Sequence, residues 1–95
     1  MIPKKDFQEN LGRNLRQIRM EKNMTLEQLA LEAGMSYSQI SRIELGKINT
    51  SAYTVYVLSR TLGVEPAEFF IPSVSVPQQR SWDGMGKRWD GIGKQ

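Results

Sequence analysis

Apolar residues return along this chain at helical intervals, in four stripes separated by polar caps. Leu11, Leu15 and Ile18 form the first. Leu26, Leu29, Ala30 and Ala33 form a second at i, i+3, i+4 and i+7, and Ile40 with Ile43 a third. Ala52, Val55, Leu58, Ser59 and Leu62 make the fourth. Intervals of three and four place each set on one helix face. The boundaries carry start and stop chemistry. Asp6 with Glu9 three residues on reads as a capping pair, which predicts a first helix over 7–22 with Asn23 as its left-handed stop. Thr25 with Gln28, and Ser36 with Gln39, each have the spacing of a capping box, and Met24 with Leu29 and Met35 with Ile40 have the spacing of a hydrophobic staple. Gly34 and Gly46 end the second and third helices, and Gly63 ends a fourth over 52–62. Pro66 sets the first turn of a short fifth helix, entered through the staple spacing of Val64 and Phe69. Phe69 and Phe70 are expected to close the core, and Pro72 to stop further helix. The expected fold class is all-α, a five-helix domain.

Residues 25–47, TLEQLALEAGMSYSQISRIELGK, therefore read as two short capped helices around a three-residue turn that contains glycine, the signature of a helix-turn-helix. On its second helix, Ser38, Ser41, Arg42 and Leu45 lie opposite Ile40 and Ile43, with Tyr37 at the flank. An apolar back and a short polar front are what a reader of the DNA major groove needs. Arg42 has the chemistry for a bidentate pair with guanine O6 and N7; the plainer alternative is a solvated charge that only attracts phosphate. Tyr37 can touch a thymine methyl or a phosphate. Phosphate contacts are expected from Thr25 at the start of the first motif helix, from Ser36, and from Lys47, Asn49, Thr50 and Ser51 after the second, with backbone N–H groups at helix starts adding to them.

The segments LRQIR at 15–19, MTLEQLALEAGMS at 24–36, ISRIELGK at 40–47 and LGVEPAEFF at 62–70 resemble the lambda-repressor/Cro-type helix-turn-helix family, also called the xenobiotic-response-element type. The resemblance covers roughly residues 10–70. It implies a lambda-repressor-like DNA-binding domain, a homodimer on double-stranded DNA, and base contacts at Tyr37, Ser38 and Arg42, with Ser41 a further candidate. It also implies that Arg19 and Glu44 form a partly buried ion pair tying the first helix to the end of the reading helix. Leu45 departs from the small or polar residue that many members carry at its position.

Charge changes the picture in one respect. The chain of 95 residues has a net charge of +3, suited to an anionic partner, but the reading element is not basic in itself. Residues 1–22 hold Lys4, Lys5, Arg13, Arg16, Arg19 and Lys22 against Asp6, Glu9 and Glu21. Residues 23–50 hold Arg42 and Lys47 against Glu27, Glu32 and Glu44. Neutral side chains and backbone donors must then carry much of any phosphate contact. Composition excludes other chemistry. With neither Cys nor His there is no thiolate metal site and no His-based catalysis, and no acid or nucleophile pair stands out, so neither an enzyme nor a cofactor is expected. No apolar run approaches the 18 or more residues of a membrane span, and the first residues lack a secretory h-region. The expectation is a soluble, cytoplasmic protein with no evident small-molecule site.

Two features lie outside the motif. Gly12 inside the first helix costs about 1 kcal/mol relative to Ala, which close packing against a neighbouring helix would explain. Tyr53, Tyr56 and Val57 fall off the core stripe of the fourth helix, and suggest a second buried surface against a partner subunit or the chain's own tail. The expected division is a DNA-binding domain at 1–71 and a tail at 72–95. The tail begins as a Pro/Ser/Gln linker and then repeats WDGMGK and WDGIGK with a period of seven. It reads as flexible, or as a self-association or docking segment using Trp82 and Trp89, or as an Arg/Trp arm on nucleic acid. Its Gly-x-Gly-Lys fragments lack the first glycine and the Ser or Thr of a phosphate loop. The competing functional reading is a protein-interaction module on the same fold, docking through the fourth and fifth helices and the tail.

Overall fold

A computed structural model describes residues 3–72. Four α-helices run in order, α1 (Lys4–Glu21), α2 (Leu26–Ala33), α3 (Tyr37–Glu44) and α4 (Ala52–Leu62), followed by a 3-10 helix at Pro66–Phe70. No strand occurs among the described residues. No helix among them is long and apolar enough to cross a membrane. The two tryptophans and the Gly-rich repeat lie outside the described residues.

The four stripes meet in one core of Leu11, Leu15, Ile18, Leu29, Ala30, Ile40, Ile43, Val55, Leu58, Leu62 and Phe69. Burying a side chain of this size stabilises by about 1.5–3 kcal/mol. Met24, Met35 and Val64 pack against the core from the helix entries, the places that the staple spacing assigned to them. All four α-helices end alike. After the last turn one residue takes positive φ (Asn23, Gly34, Gly46 and Gly63), and the next N–H reaches back to the chain: Met24 to Arg19 O, Met35 to Ala30 O, Lys47 to Arg42 O and Val64 to Ser59 O. This is the Schellman pattern, which satisfies carbonyls that the helix leaves unpaired.

Several expectations need correction. α1 begins at Lys4, with Pro3 rather than Asp6 at its cap and no side-chain cap bond. The Pro3 carbonyl already accepts from Phe7 N–H at 3.1 Å, so Asp6 falls inside the first turn, where its charge faces the positive helix end. The Thr25–Gln28 box is complete, but Ser36 makes only the hydroxyl half, accepting from Gln39 N–H at 3.0 Å. The fifth element is a 3-10 helix, not an α-helix: it has five residues, and Ile71 after it is already extended. Ala52, in the first turn of α4, is exposed, so that helix's core stripe starts at Val55. Phe69 closes the core, but Phe70 turns outward and stacks on Phe7, ring centroids 5.9 Å apart.

Candidate nucleic-acid interface

α3 has only eight residues, too few to hold a helix in water on propensity alone. Its neighbours fix it from three directions. Ile40 and Ile43 are buried in the core. Behind its last turn lies Gly12 of α1, where an added Cβ would overlap the Ile43 carbonyl oxygen and stand 2.5 Å from that of Glu44. The missing side chain is what lets the two backbones approach. The third hold is electrostatic. Arg19 Nε donates to Glu44 Oε2 at 2.6 Å and its Nη2 to Oε1 at 3.1 Å, a two-pronged pair with side chains only 12% and 7% exposed. Arg19 Nη1 donates to Met24 O at 2.8 Å, so one guanidinium joins α1, the entry to α2 and the end of α3.

The opposite side of α3 is open. Tyr37, Ser38, Arg42 and Leu45 are exposed and Ser41 is half-buried, so all five belong to one outward surface. Thr25 and Ser36 are exposed at the starts of α2 and α3, where each hydroxyl accepts its own helix's N–H and keeps a proton to donate. Lys47 and Asn49 are exposed in the loop after α3. Two of the expected phosphate ligands are placed less favourably. The Thr50 hydroxyl is buried with no hydrogen-bond partner, turned inward from the loop. Ser51 caps α4, accepting from Thr54 N–H at 3.1 Å and donating to Thr54 Oγ1 at 3.0 Å, so its proton is already engaged.

Residues 15–69 match the model of the helix-turn-helix family HTH_3. The chain belongs to this family. It is 32% identical over 72 residues to an uncharacterized HTH-type transcriptional regulator, y4dJ, of Sinorhizobium fredii, covering 76% of this chain and 94% of that one. It is 41% identical over 58 residues to the control protein C.BamHI of Bacillus amyloliquefaciens, covering 60% and 72%. Among solved structures, the restriction-modification controller protein C.AhdI of Aeromonas hydrophila superposes with a TM-score of 0.64 at 32% identity, over 65% of this chain and 94% of that one.

In this helix-turn-helix the ion pair also takes the one carboxylate of α3 out of its outward surface. Of the three acids between residues 23 and 50, Glu44 is turned inward and matched by Arg19, while Glu27 and Glu32 are exposed on α2. Arg42 and Lys47 then face solvent with no exposed carboxylate on α3.

Sequence reasoning missed three amides that hold this frame. Asn14 Nδ2 donates to Phe69 O at 2.8 Å and to Ile71 O at 2.7 Å, and Asn10 Nδ2 to Ile71 O at 3.1 Å, which fastens the end of the 3-10 helix onto α1. Gln8 Nε2 donates to Gly46 O at 3.1 Å and fixes the chain where it leaves α3. A signal for Asn14 existed: it lies on the apolar stripe, three residues after Leu11 and four before Ile18, and a polar residue there must find a partner. Gln8 and Asn10 carry no such signal.

Proposed function

We propose that this chain is a sequence-specific, DNA-binding transcriptional regulator that acts as a homodimer and reads the major groove with α3. What supports this is the seating of α3, anchored along its back by Ile40, Ile43 and the Arg19–Glu44 pair while Tyr37, Ser38, Ser41 and Arg42 face outward. A helix held in this way enters the groove as a rigid body and presents short side chains to base edges. Arg42 pairs with a guanine, Ser38 and Ser41 bond to neighbouring edges, and Tyr37 contacts the start of the site. Thr25, Ser36, Lys47 and Asn49 hold phosphates, with the backbone N–H groups near Thr50 and Ser51 serving where their hydroxyls do not. The control-protein relatives favour a repressor or controller role, exercised in the cytoplasm.

The second subunit packs on α4, whose Tyr53 is 76% exposed and whose Tyr56 and Val57 continue the surface. Residues 1–71 carry DNA binding, and the tail at 72–95, with Trp82 and Trp89, serves self-association. A docking module that uses the α4 tyrosines for another protein is the second reading, and the same experiment separates the two. Selection from random duplex DNA at moderate salt should enrich a two-fold symmetric site with half-sites about 34–36 Å apart. That site should bind at least about a thousandfold more tightly than a scrambled duplex. Binding that shows no enrichment and collapses as salt rises would leave only phosphate attraction, and would favour the docking module.

A further inference from the structure

The reading surface ends on an apolar residue that neither the core nor the proposed polar contacts account for. Leu45 is 60% exposed. It is not frayed. Its backbone is still right-handed helical, and its N–H donates to Ser41 O at 3.0 Å. Immediately after it the chain turns away: Gly46 takes φ +73, is buried against Glu9 of α1, and its carbonyl is held by Gln8. Leu45 is thus projected from a fixed point. It lies three residues after Arg42 and seven after Ser38, on the same outward stripe.

We infer that Leu45 is a specificity-determining residue that packs on the 5-methyl group of a thymine in each half-site. The inference rests on α3 being the major-groove reader. In that groove the thymine methyl is the apolar feature among the base edges, and apolar side chains recognise it by contact. A backbone phosphate offers Leu45 nothing, whereas a methyl removes apolar surface from water on both partners. The rise from Ser38 to Leu45 is about 10 Å. The thymine therefore lies within about three base-pair steps of the base read at Ser38, at about 3.4 Å per step.

The test uses the full chain and the duplex that selection enriches. Each thymine is replaced in turn by uracil, which removes only the methyl, and affinities are measured for the wild type and for Leu45→Ala. One thymine per half-site should be sensitive, its loss weakening the wild type about fourfold, the effect of one buried methyl. Leu45→Ala should bind the parent duplex correspondingly less well and be indifferent to uracil at that position. With cytosine there instead, 5-methylation should tighten the wild type by a similar factor and leave Leu45→Ala unchanged. Losses that add independently, or a Leu45→Ala loss equal on preferred and scrambled duplexes, would overturn this inference while leaving the regulator reading intact. Failure to enrich any duplex would overturn both. Thermal unfolding of Leu45→Ala should stay close to the wild type, because the exposed side chain is not a member of the buried core.

Discussion

Gly12→Ala tests how α3 is held, because two effects of opposite sign meet there. In an open helix the substitution stabilises by about 1 kcal/mol, the difference in helix propensity. Here the new methyl would overlap the Ile43 carbonyl oxygen and stand 2.5 Å from the Glu44 oxygen and 2.8 Å from its carbonyl carbon. These are backbone atoms, so no rotamer change relieves the contact. Reaching an ordinary separation of about 3.5 Å requires α1 and α3 to part by about 1 Å. Overpacking of this kind costs about 1–3 kcal/mol by itself. The displaced turn also carries Glu44, whose bonds to Arg19 are 2.6 and 3.1 Å long and do not survive a shift of that size unchanged. Clash and ion-pair loss together outweigh the propensity gain. The variant should be less stable by about 2 kcal/mol, which lowers the thermal midpoint by roughly 10 °C in a domain of this size. Thermal and urea unfolding followed by circular dichroism measure it. A midpoint that rises would refute the reasoning, because it would mean that the α1–α3 approach relaxes freely and does not position the reading helix.

Arg19→Met should destabilise by about 3–5 kcal/mol by stranding the buried Glu44 carboxylate, and adding Glu44→Gln should recover much of that loss in urea titrations; strictly additive losses would argue against a coupled pair. Asn14→Leu leaves the Phe69 carbonyl, and one partner of the Ile71 carbonyl, without its donor, and should cost about 1–3 kcal/mol by the same assay. Arg42→Ala should lose about 1–3 kcal/mol on the preferred duplex and flatten preference at one base pair, whereas an equal loss on random DNA would reduce Arg42 to a phosphate contact. Tyr53→Glu places a charge on the exposed face of α4 and should shift sedimentation from dimer to monomer with the helical signal retained; an unchanged dimer would move the subunit contact elsewhere.

What the sequence revealed of this fold followed from how local each signal is. Leu29, Ala30, Ile40 and Ile43 were legible because a helix buries one face and periodicity reports that face directly. The caps at Thr25 and Ser36 and the stops at Asn23 and Gly34 were legible because each involves residues within a turn of one another. Asp6 misled for the same reason: it has capping chemistry, but Pro3, with its φ already helical, starts the helix earlier. Phe70 misled because two adjacent residues of a 3-10 turn cannot both face one core, and nothing local says which turns inward. The Asn14 and Gln8 bonds span 55 and 38 residues of sequence and become visible only when the helices are docked. The outward surface of α3 could be assigned by elimination from Ile40 and Ile43, but its individual contacts depend on a groove that the chain does not encode.

Under the proposed function, the arrangement separates what holds α3 from what α3 reads. Ile40, Ile43 and Glu44 anchor α3, with Gly12, Arg19 and Gln8 gripping from α1, and none of these six lies on the outward surface. Tyr37, Ser38, Arg42 and Leu45 are exposed, and no hydrogen bond or core contact of the described domain rests on their side chains. Substitution on that surface can therefore change the preferred site at little cost to the fold, since exposed changes away from caps and cores usually fall within about 0.5 kcal/mol. Substitution among the anchors has the opposite profile. It loosens a helix of eight residues that cannot persist unaided, and so weakens binding to every duplex together. On that proposed reading, a new operator is reached through a few surface residues while the six anchors stay fixed.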